Sequence, residues 1–403
     1  MNSDIPKILH PVSGKPMIHY VIELARKLGS LKIYIVLGFK NEIVRKSLDR
    51  HVEIVIQKEL LGTADAVRRA AGHFRNYKGD ILILSGDAPL LTQQTVKELI
   101  KKHRQAKAGC TFLTSEPQDV RGYGRIVRTG RGEVLAIREE KDATAEERNI
   151  REINVGVYCF ESTILFKAIQ AIKMNDKKKE FYLTDIIALL VERQIPVQTV
   201  KTEDYTEGIG VNTKQDLAFV ESIVRKRILR KFMSEGITII DPHTTYIDSN
   251  VKIGRDTVIR PFTVIENNVR IGNRCKIGPF SHIRPGTNIA DEAEIGNFTE
   301  VSRTHIGPQS LMKHFSFLGD ARVGAKVNIG AGTVTANFDG KNKNVTIIRD
   351  DAFIGSDSVL IAPVKVGKQA VTGAGSVVTR GTSIPDGDIA MGVPARIISR
   401  RKR

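Results

Sequence analysis

Asp87 stands in the run Ser85-Gly86-Asp87-Ala88-Pro89-Leu90, directly after the apolar stretch Ile81-Leu82-Ile83-Leu84. A carboxylate that emerges at the carboxyl end of a buried strand can hold a hard divalent cation, and a magnesium-bound triphosphate would lie at that end of an α/β sheet. The same Asp also suits a plain turn cap ahead of Pro89, so residue type alone leaves both readings open. Gln57 opens the run Gln57-Lys58-Glu59-Leu60-Leu61-Gly62-Thr63 with an amide able to read a base edge, and Gly62-Thr63 leads into a helix whose first amides can face an anion. Taken alone, Gly-Thr before a helix is a weak signal. His314, in Ser310-Leu311-Met312-Lys313-His314-Phe315-Ser316, is a general-base candidate by residue type, although a lone His in a coil is more often packed or solvated. Arg284 before Pro285-Gly286 is equally an anion ligand or a surface corner.

Two kinds of element must position these residues. In the first part of the chain, apolar strand-like runs (Ile33–Leu37, Glu53–Ile56, Ile81–Leu84, Thr111–Leu113) alternate with amphipathic helical stretches (His19–Leu28, Asn41–Leu48, Thr63–Ala71, Thr92–His103). That alternation predicts an α/β domain with a mostly parallel sheet. Residues 213–236 read as one helix ended by Gly236. From Ile247 an aliphatic residue then recurs every six positions through Ile253, Ile259, Ile265 and onward to Val301. The register slips by one at Ile306, continues through Met312 and Leu318, slips again at Val323 and Ile329, and resumes from Ile348 to Ile384 with Thr372 in phase. This predicts a parallel β-helix of hexapeptide repeats, three short strands per coil. Glycines follow the anchors at 254, 272, 278, 296, 307, 330 and 355, where a tight corner is expected to need positive φ. The period breaks between Asn337 and Thr346, which reads as a loop thrown out of the coil, a place where ligand contacts collect.

Composition narrows the classes. The chain has 403 residues, 41% hydrophobic and 27% charged, enough apolar material for more than one core. No apolar run approaches the ~18 residues of a membrane span, and the N-terminus lacks the layout of a signal peptide. Three cysteines, Cys110, Cys159 and Cys275, without C-x-x-C spacing argue against a disulfide framework and a zinc site and for a reducing cytoplasm. The net charge of +17 is dispersed, with 40 basic and 30 acidic residues before residue 237 and 22 and 15 after it. The clusters Arg225 to Lys231 and Arg400 to Arg403 read as a solvated helix face and a basic tail. Without aromatic residues between the cations, a nucleic-acid partner is disfavoured, and anionic small molecules remain.

Further short motifs complete an ordered set: Pro6-Lys7, Gly122-Tyr123-Gly124-Arg125, Glu139-Glu140-Lys141-Asp142, Glu152-Ile153-Asn154-Val155-Gly156, Tyr182-Leu183-Thr184-Asp185 and Gly210-Val211-Asn212. With the hexapeptide repeats behind it, this order resembles the bifunctional N-acetylglucosamine-1-phosphate uridyltransferase / glucosamine-1-phosphate N-acetyltransferase family over essentially the whole chain. The resemblance implies a Rossmann-like nucleotidyltransferase domain (1–219), a linker helix (220–236) and a left-handed parallel β-helix acetyltransferase domain (237–403). It implies acetyl transfer from acetyl-CoA to glucosamine-1-phosphate, then uridylyl transfer from UTP to N-acetylglucosamine-1-phosphate, feeding envelope polysaccharide synthesis. By the same resemblance Asp87 and Asn212 hold Mg²⁺, Lys7, Gln57, Gly62 and Thr63 contact the nucleotide, and Gly124, Glu139 and Asn154 bind the amino sugar. In the β-helix, His314 takes the general-base position and Glu300 the position of the carboxylate that orients it. Arg284, Asn328 and Lys343 match sugar-phosphate ligands, while Ala331, Asn337, Ser356 and Ala374 match acetyl-CoA contacts, Ala331 as the oxyanion donor. A cytoplasmic homotrimer is expected, with no nucleic-acid partner and no membrane span.

Departures from the family pattern set the rival readings. Members begin with a strand and the loop L-A-A-G-x-G-T-x-M, and Met1 aligns with the Met that closes it. The expectation is that an in-frame upstream stretch encodes the missing part, and that the domain without it is less stable and poorly active. The family has Lys at Ser302, Tyr at Phe317 and Phe338, and Arg at Met391, ahead of a Gly392-Val393-Pro394-Ala395-Arg396 ending like that of other hexapeptide acyltransferases. Loss of the Lys removes a phosphate-pairing charge that the adjacent Arg303 could supply. These changes suit a related enzyme with another sugar or nucleotide, and the missing loop suits a catalytically weak trimeric scaffold.

Overall fold

The computed structural model describes residues 1–38, 40–175 and 179–398, so the basic cluster Arg400 to Arg403 lies outside the described residues. The chain forms two compact units, Met1–Glu221 and Ser222–Arg403, and the helix Lys214–Ser234 runs across the division. That helix ends as its sequence predicts. Gly236 adopts φ +93°, its N–H donates to the Met233 carbonyl (3.2 Å), and Ile237 N–H donates to the Phe232 carbonyl (3.1 Å).

In the first unit every expected strand and helix forms within a few residues of its predicted bounds. The sheet is not mostly parallel, however. Its order is Val197–Lys201, Cys110–Ser115, Ile153–Glu161, Arg125–Arg128, Val134–Arg138, with Asp80–Ile83 also paired to Ile153–Glu161. Only the first of these ladders is parallel. The cause is Ile153–Glu161, in which Ile153, Val155 and Val157 alternate with Asn154 and Gly156, a pattern that marks a strand and not its direction. It lies reversed between Asp80–Ile83 and Cys110–Ser115. A second parallel pair, Tyr34–Leu37 with Glu53–Ile56, forms a sheet of its own.

The strand ahead of Asp87 also differs from expectation. Cys110–Ser115 is buried at every position, whereas Asp80–Ile83 is half-buried at every position, because among the described residues it has one ladder partner where a central strand would have two. Asp87 therefore follows an edge strand.

The second unit is a parallel β-helix whose three sheets contain, among the described residues, 10, 8 and 8 strands, most of them two residues long. The aliphatic anchors predicted from the repeat form its core: Ile259, Ile277, Ile283, Ile295, Val301, Ile354, Leu360 and Val378 are at most 1% exposed. Each such side chain contributes about 1.5–3 kcal/mol relative to exposure. The register slips have a simple geometric form. Ile259 pairs with Ile277, eighteen residues on, but Ile289 pairs with Ile306, seventeen on, and Ile329 pairs with Ile354, twenty-five on, across the extruded loop.

The corner glycines have another cause than the one expected. Of the seven, only Gly278 has positive φ (+88°). A Cβ on the others would collide with the next coil: at Gly254 it would lie 2.6 Å from Asn273 N, and at Gly296 it would run into the Lys313 carbonyl. Left-handed backbone falls at other positions, both on glycines such as Gly286 and Gly375 and on non-glycine residues such as Asp256, Phe262, Asn268, Arg274, Phe280 and Phe298. Three of these stack their rings along one exposed corner, Phe262 on Phe280 (4.8 Å) and Phe280 on Phe298 (4.9 Å).

Candidate active sites

Three distant segments of the first unit meet at one cation. Lys7 opens a single 3₁₀ turn after Pro6, and its ammonium lies in a short contact with the Asp87 carboxylate and 3.0 Å from the Asn212 side-chain oxygen. The Val211 N–H donates to the Asp87 carbonyl (3.0 Å), which ties the Asn212 segment to the Asp87 turn. Two hard oxygen donors thus converge on a positive charge. That is the donor chemistry of a magnesium site completed by phosphate oxygens, and among the described residues no cluster of three or more His, Cys, Asp or Glu side chains offers a protein-only alternative.

Gln57 is 8% exposed, and its amide nitrogen is committed within the chain, donating to Gly62 O (3.1 Å) and to Asp65 (3.0 Å). Asp65 is fully buried. Burial pushes its carboxyl up, but hydrogen bonds from Gln57, Arg68 and Arg69 outweigh that and hold it below the usual range. Orientation of Gln57 is thereby fixed with its side-chain oxygen left to accept. Gly62 has φ +96° and a Cβ there would lie 2.5 Å from Phe181 O, so this glycine is required twice over. The helix amide expected to face an anion is already engaged: Ala64 N–H donates to Phe181 O (2.9 Å), and Thr63 Oγ1 accepts from Leu183 N–H (3.0 Å).

A third group surrounds Glu139, which lines a groove of about 310 Å³ with Arg138, Asp142, Asn175, Tyr182 and Asp185. Thr184 Oγ1 donates to the Glu139 carboxylate (2.8 Å). Burial, joined by the negative charges of Asp185, Asp142 and Glu180, raises the Glu139 carboxyl above its ordinary value, and burial raises Asp185 likewise. Gly124 sits beside this carboxylate, a Cβ on it lying 3.7 Å from Glu139 Oε1, and its carbonyl accepts from Asn154 N–H (2.9 Å). The Asn154 amide donates to the buried Tyr158 hydroxyl (2.6 Å). Thr184 and Asp65 carry no role in the motif reading. Thr184 lies in the quoted run Tyr182–Asp185, whereas nothing local marks Asp65, which matters only through its contact with Gln57.

In the second unit His314 is exposed on the turn between Leu311–Met312 and Ser316–Gly319, and among the described residues its imidazole has no hydrogen-bond partner. Glu300 accepts from Arg284 (2.8 Å), and among the described residues no hydrogen bond or ion pair joins Glu300 to His314. Ala331, Ser356 and Ala374 occupy the same corner of successive coils, two residues after the paired anchors Ile329, Ile354 and Thr372. Asn328 lies on the strand leading into that corner, and no hydrogen bond among the described residues engages the Ala331 N–H.

The loop after Asn337 is tightly built. Asp339 accepts from the N–H groups of Lys341 (3.0 Å) and Asn342 (2.7 Å), from the Asn344 amide (3.0 Å) and from Arg380 (3.2 Å), with its carboxyl held down to about 2, chiefly by the Asn342 N–H. Lys343 and Phe338 are exposed on this loop. Arg303 forms a two-toothed pair with Asp320 (2.6 and 2.9 Å) and donates to the buried hydroxyl of the adjacent Ser302 (2.7 Å). Asp320 also accepts from the Asn337 amide.

An α/β nucleotidyltransferase unit followed by a hexapeptide β-helix defines the class of protein. Residues 2–217 match the nucleotidyl transferase family, residues 268–303 the bacterial transferase hexapeptide, and residues 345–380 the hexapeptide repeat of succinyl-transferase. Among similar proteins, the bifunctional protein GlmU of Thermosipho melanesiensis is 42% identical over 97% of this chain and 92% of its own length. The GlmU proteins of Pelotomaculum thermopropionicum (41%, 91% of this chain, 87% of its own) and a Geobacillus species (43%, 94% and 90%) are similar throughout as well. The chain belongs to the GlmU family of bifunctional proteins.

Proposed function

We propose that this chain makes UDP-N-acetylglucosamine in two steps at two separate sites. Residues 237–403 acetylate glucosamine-1-phosphate from acetyl-CoA, residues 1–219 transfer the uridylyl group of UTP to the N-acetylated product with release of pyrophosphate, and 220–236 connect them. The observation that carries the first-unit assignment is the convergence of Lys7, Asp87 and Asn212.

Asp87 and Asn212 would hold Mg²⁺, which when bound neutralises phosphate charge and polarises the phosphorus under attack. Lys7 pairs with phosphate oxygens, the fixed oxygen of Gln57 accepts from the base, and Gly62 and Thr63 shape the turn beside it. Glu139, with lone pairs free in a half-dry groove, accepts from the sugar alongside Gly124 and Asn154. The attacking oxygen already belongs to the sugar phosphate, so the protein supplies positioning and charge and no covalent nucleophile.

In the β-helix, neutral His314 takes the proton from the sugar amine as it attacks the thioester carbonyl, and the Ala331 N–H stabilises the oxyanion. Arg284, Asn328 and Lys343 bind the sugar phosphate. Asn337, Ser356 and Ala374 line the acetyl-CoA path, and Glu300 orients His314 once the acceptor phosphate draws Arg284 away. The working form is a cytoplasmic homotrimer assembled through the β-helices. The buried Ser302 with Arg303 beside it favours a second reading in which the acceptor is a different sugar phosphate.

Two assays on the purified chain test the assignment: coenzyme A release with glucosamine-1-phosphate, and pyrophosphate release with UTP and N-acetylglucosamine-1-phosphate. His314→Ala should lower only the first and Lys7→Ala only the second. If His314→Ala left coenzyme A release unchanged, the general-base assignment would be wrong.

A further inference from the structure

We propose that the third face of the β-helix carries a binding groove for a small molecule bearing two or more linked phosphates, separate from both sites described above. The groove has a volume of about 490 Å³ and is lined by strands His305–Ile306, Ala321–Val323 and Thr346–Ile348 and by the corners that follow them. The proposed acetyl-transfer corner follows a different sheet, the one containing Asn328–Ile329, Phe353–Ile354 and Val371–Thr372. None of the site residues named above lines the groove.

Several cations of the β-helix are matched across coils, as in Arg274 with Glu292 (2.6 Å), Arg284 with Glu300 (2.8 Å) and Arg303 with Asp320 (2.6 Å). Arg322, Arg349 and Lys368 all line the groove, are exposed, and have no ion pair among the described residues. The two carboxylates nearby are directed at the backbone. Asp350 accepts from Ala325 N–H (2.8 Å) and Asp386 from Lys368 N–H (2.8 Å), the corner-capping contact that Asp291 makes with Asn273 N–H (2.9 Å) elsewhere. The groove therefore carries three exposed cations against two carboxylates engaged with the backbone, and its two guanidinium groups match phosphate oxygens in two-toothed fashion.

Its extent argues for a compact ligand with more than one phosphate. The three cations come from three coils about 4.8 Å apart, so together they span about 10 Å and offer donors to more than one phosphate. Along the same outward ladder, Asn288 separates His305 from Arg270 and Lys252, and Ser383 follows Lys365, so the cations of the groove form a group bounded by two neutral side chains. Ile347 and Pro308 give the groove an apolar side.

The test is equilibrium dialysis of labelled inorganic pyrophosphate against the full chain in EDTA, comparing wild type with Arg322→Gln/Arg349→Gln/Lys368→Gln. Wild type should bind one more pyrophosphate per chain than the variant, or bind it at least about tenfold more tightly at that site. Both transferase activities and the Tm should be unchanged, and the control Lys97→Gln/Lys101→Gln should bind as wild type does. Equal stoichiometry and affinity in the triple variant would overturn the proposal. So would an equal loss in the control, or an oligonucleotide that binds through the same three residues more tightly than pyrophosphate.

Discussion

Glu139 shows how one carboxyl can serve ligand binding at the expense of stability. Burial raises its folded pKa above the ordinary 4.5, so its contribution to stability is present in full below that value and is lost as pH rises through the raised one. Glu139→Gln keeps an acceptor for Thr184 and removes the buried charge. The Tm of this variant should exceed that of wild type at pH 7, with the gap closing as pH falls toward 4.5, while uridylyl transfer falls through a higher KM for the sugar phosphate. A Tm gap that widens on acidification would show that Glu139 is stabilised as the anion. His314→Ala should reduce acetyl transfer roughly 10²–10⁴-fold, the usual contribution of a positioned base, and leave pyrophosphate release unchanged. Lys7→Ala should do the converse, by about 10²–10³-fold, through loss of charge at the phosphates.

At the scale of elements, coil stacking and the extruded loop make separate predictions. Gly296→Ala places a methyl group against the Lys313 carbonyl, so neighbouring coils must part, at a cost of about 1–3 kcal/mol. Denaturant titration of the β-helix signal should show this, whereas Gly375→Ala, at φ +70° with open space around its Cβ position, should be strained by backbone conformation alone. Asp339 ties the loop through several hydrogen bonds, and with its carboxyl held at about 2 that anchoring is present above the ordinary 3.8 and is lost as pH falls toward 2. Asp339→Ala should raise the KM values of acetyl transfer several-fold with little change in Tm, because loop closure and not the core is loosened. The helix and strand runs of the first unit were legible because their apolar periods are local. Ile153–Glu161 also alternates, at Ile153, Val155 and Val157, but its direction between Asp80–Ile83 and Cys110–Ser115 is set by partners far along the chain, and with it the sense of the sheet.

At the scale of the whole molecule, each unit has its own buried cores, one of stacked anchors from Leu229 to Ala390, others within the α/β unit. Ile295→Ala, at a fully buried anchor, should cost about 2–5 kcal/mol and lower the calorimetric transition of the β-helix unit. Acetyl transfer should then fail at a lower temperature than uridylyl transfer. The charge of +17 reads at this scale as several anion-directed surfaces, with Lys7, Lys343 and the Arg322 groove on different elements. The sequence by itself determined the two architectures and the identity of the buried anchors, because a hexapeptide period and an amphipathic helix are properties of neighbouring residues. Tertiary structure alone decided which candidates meet. Lys7, Asp87 and Asn212 converge across intervals of 80 and 205 residues, Glu300 accepts from Arg284, and the corner glycines answer to the backbone of the next coil. The physical reason is that coil-to-coil register depends on the accumulated slips at Ile306 and Val323 and on the loop after Asn337. Contacts of seventeen, eighteen or twenty-five residues' separation are therefore set by how the coils stack and not by any local pattern.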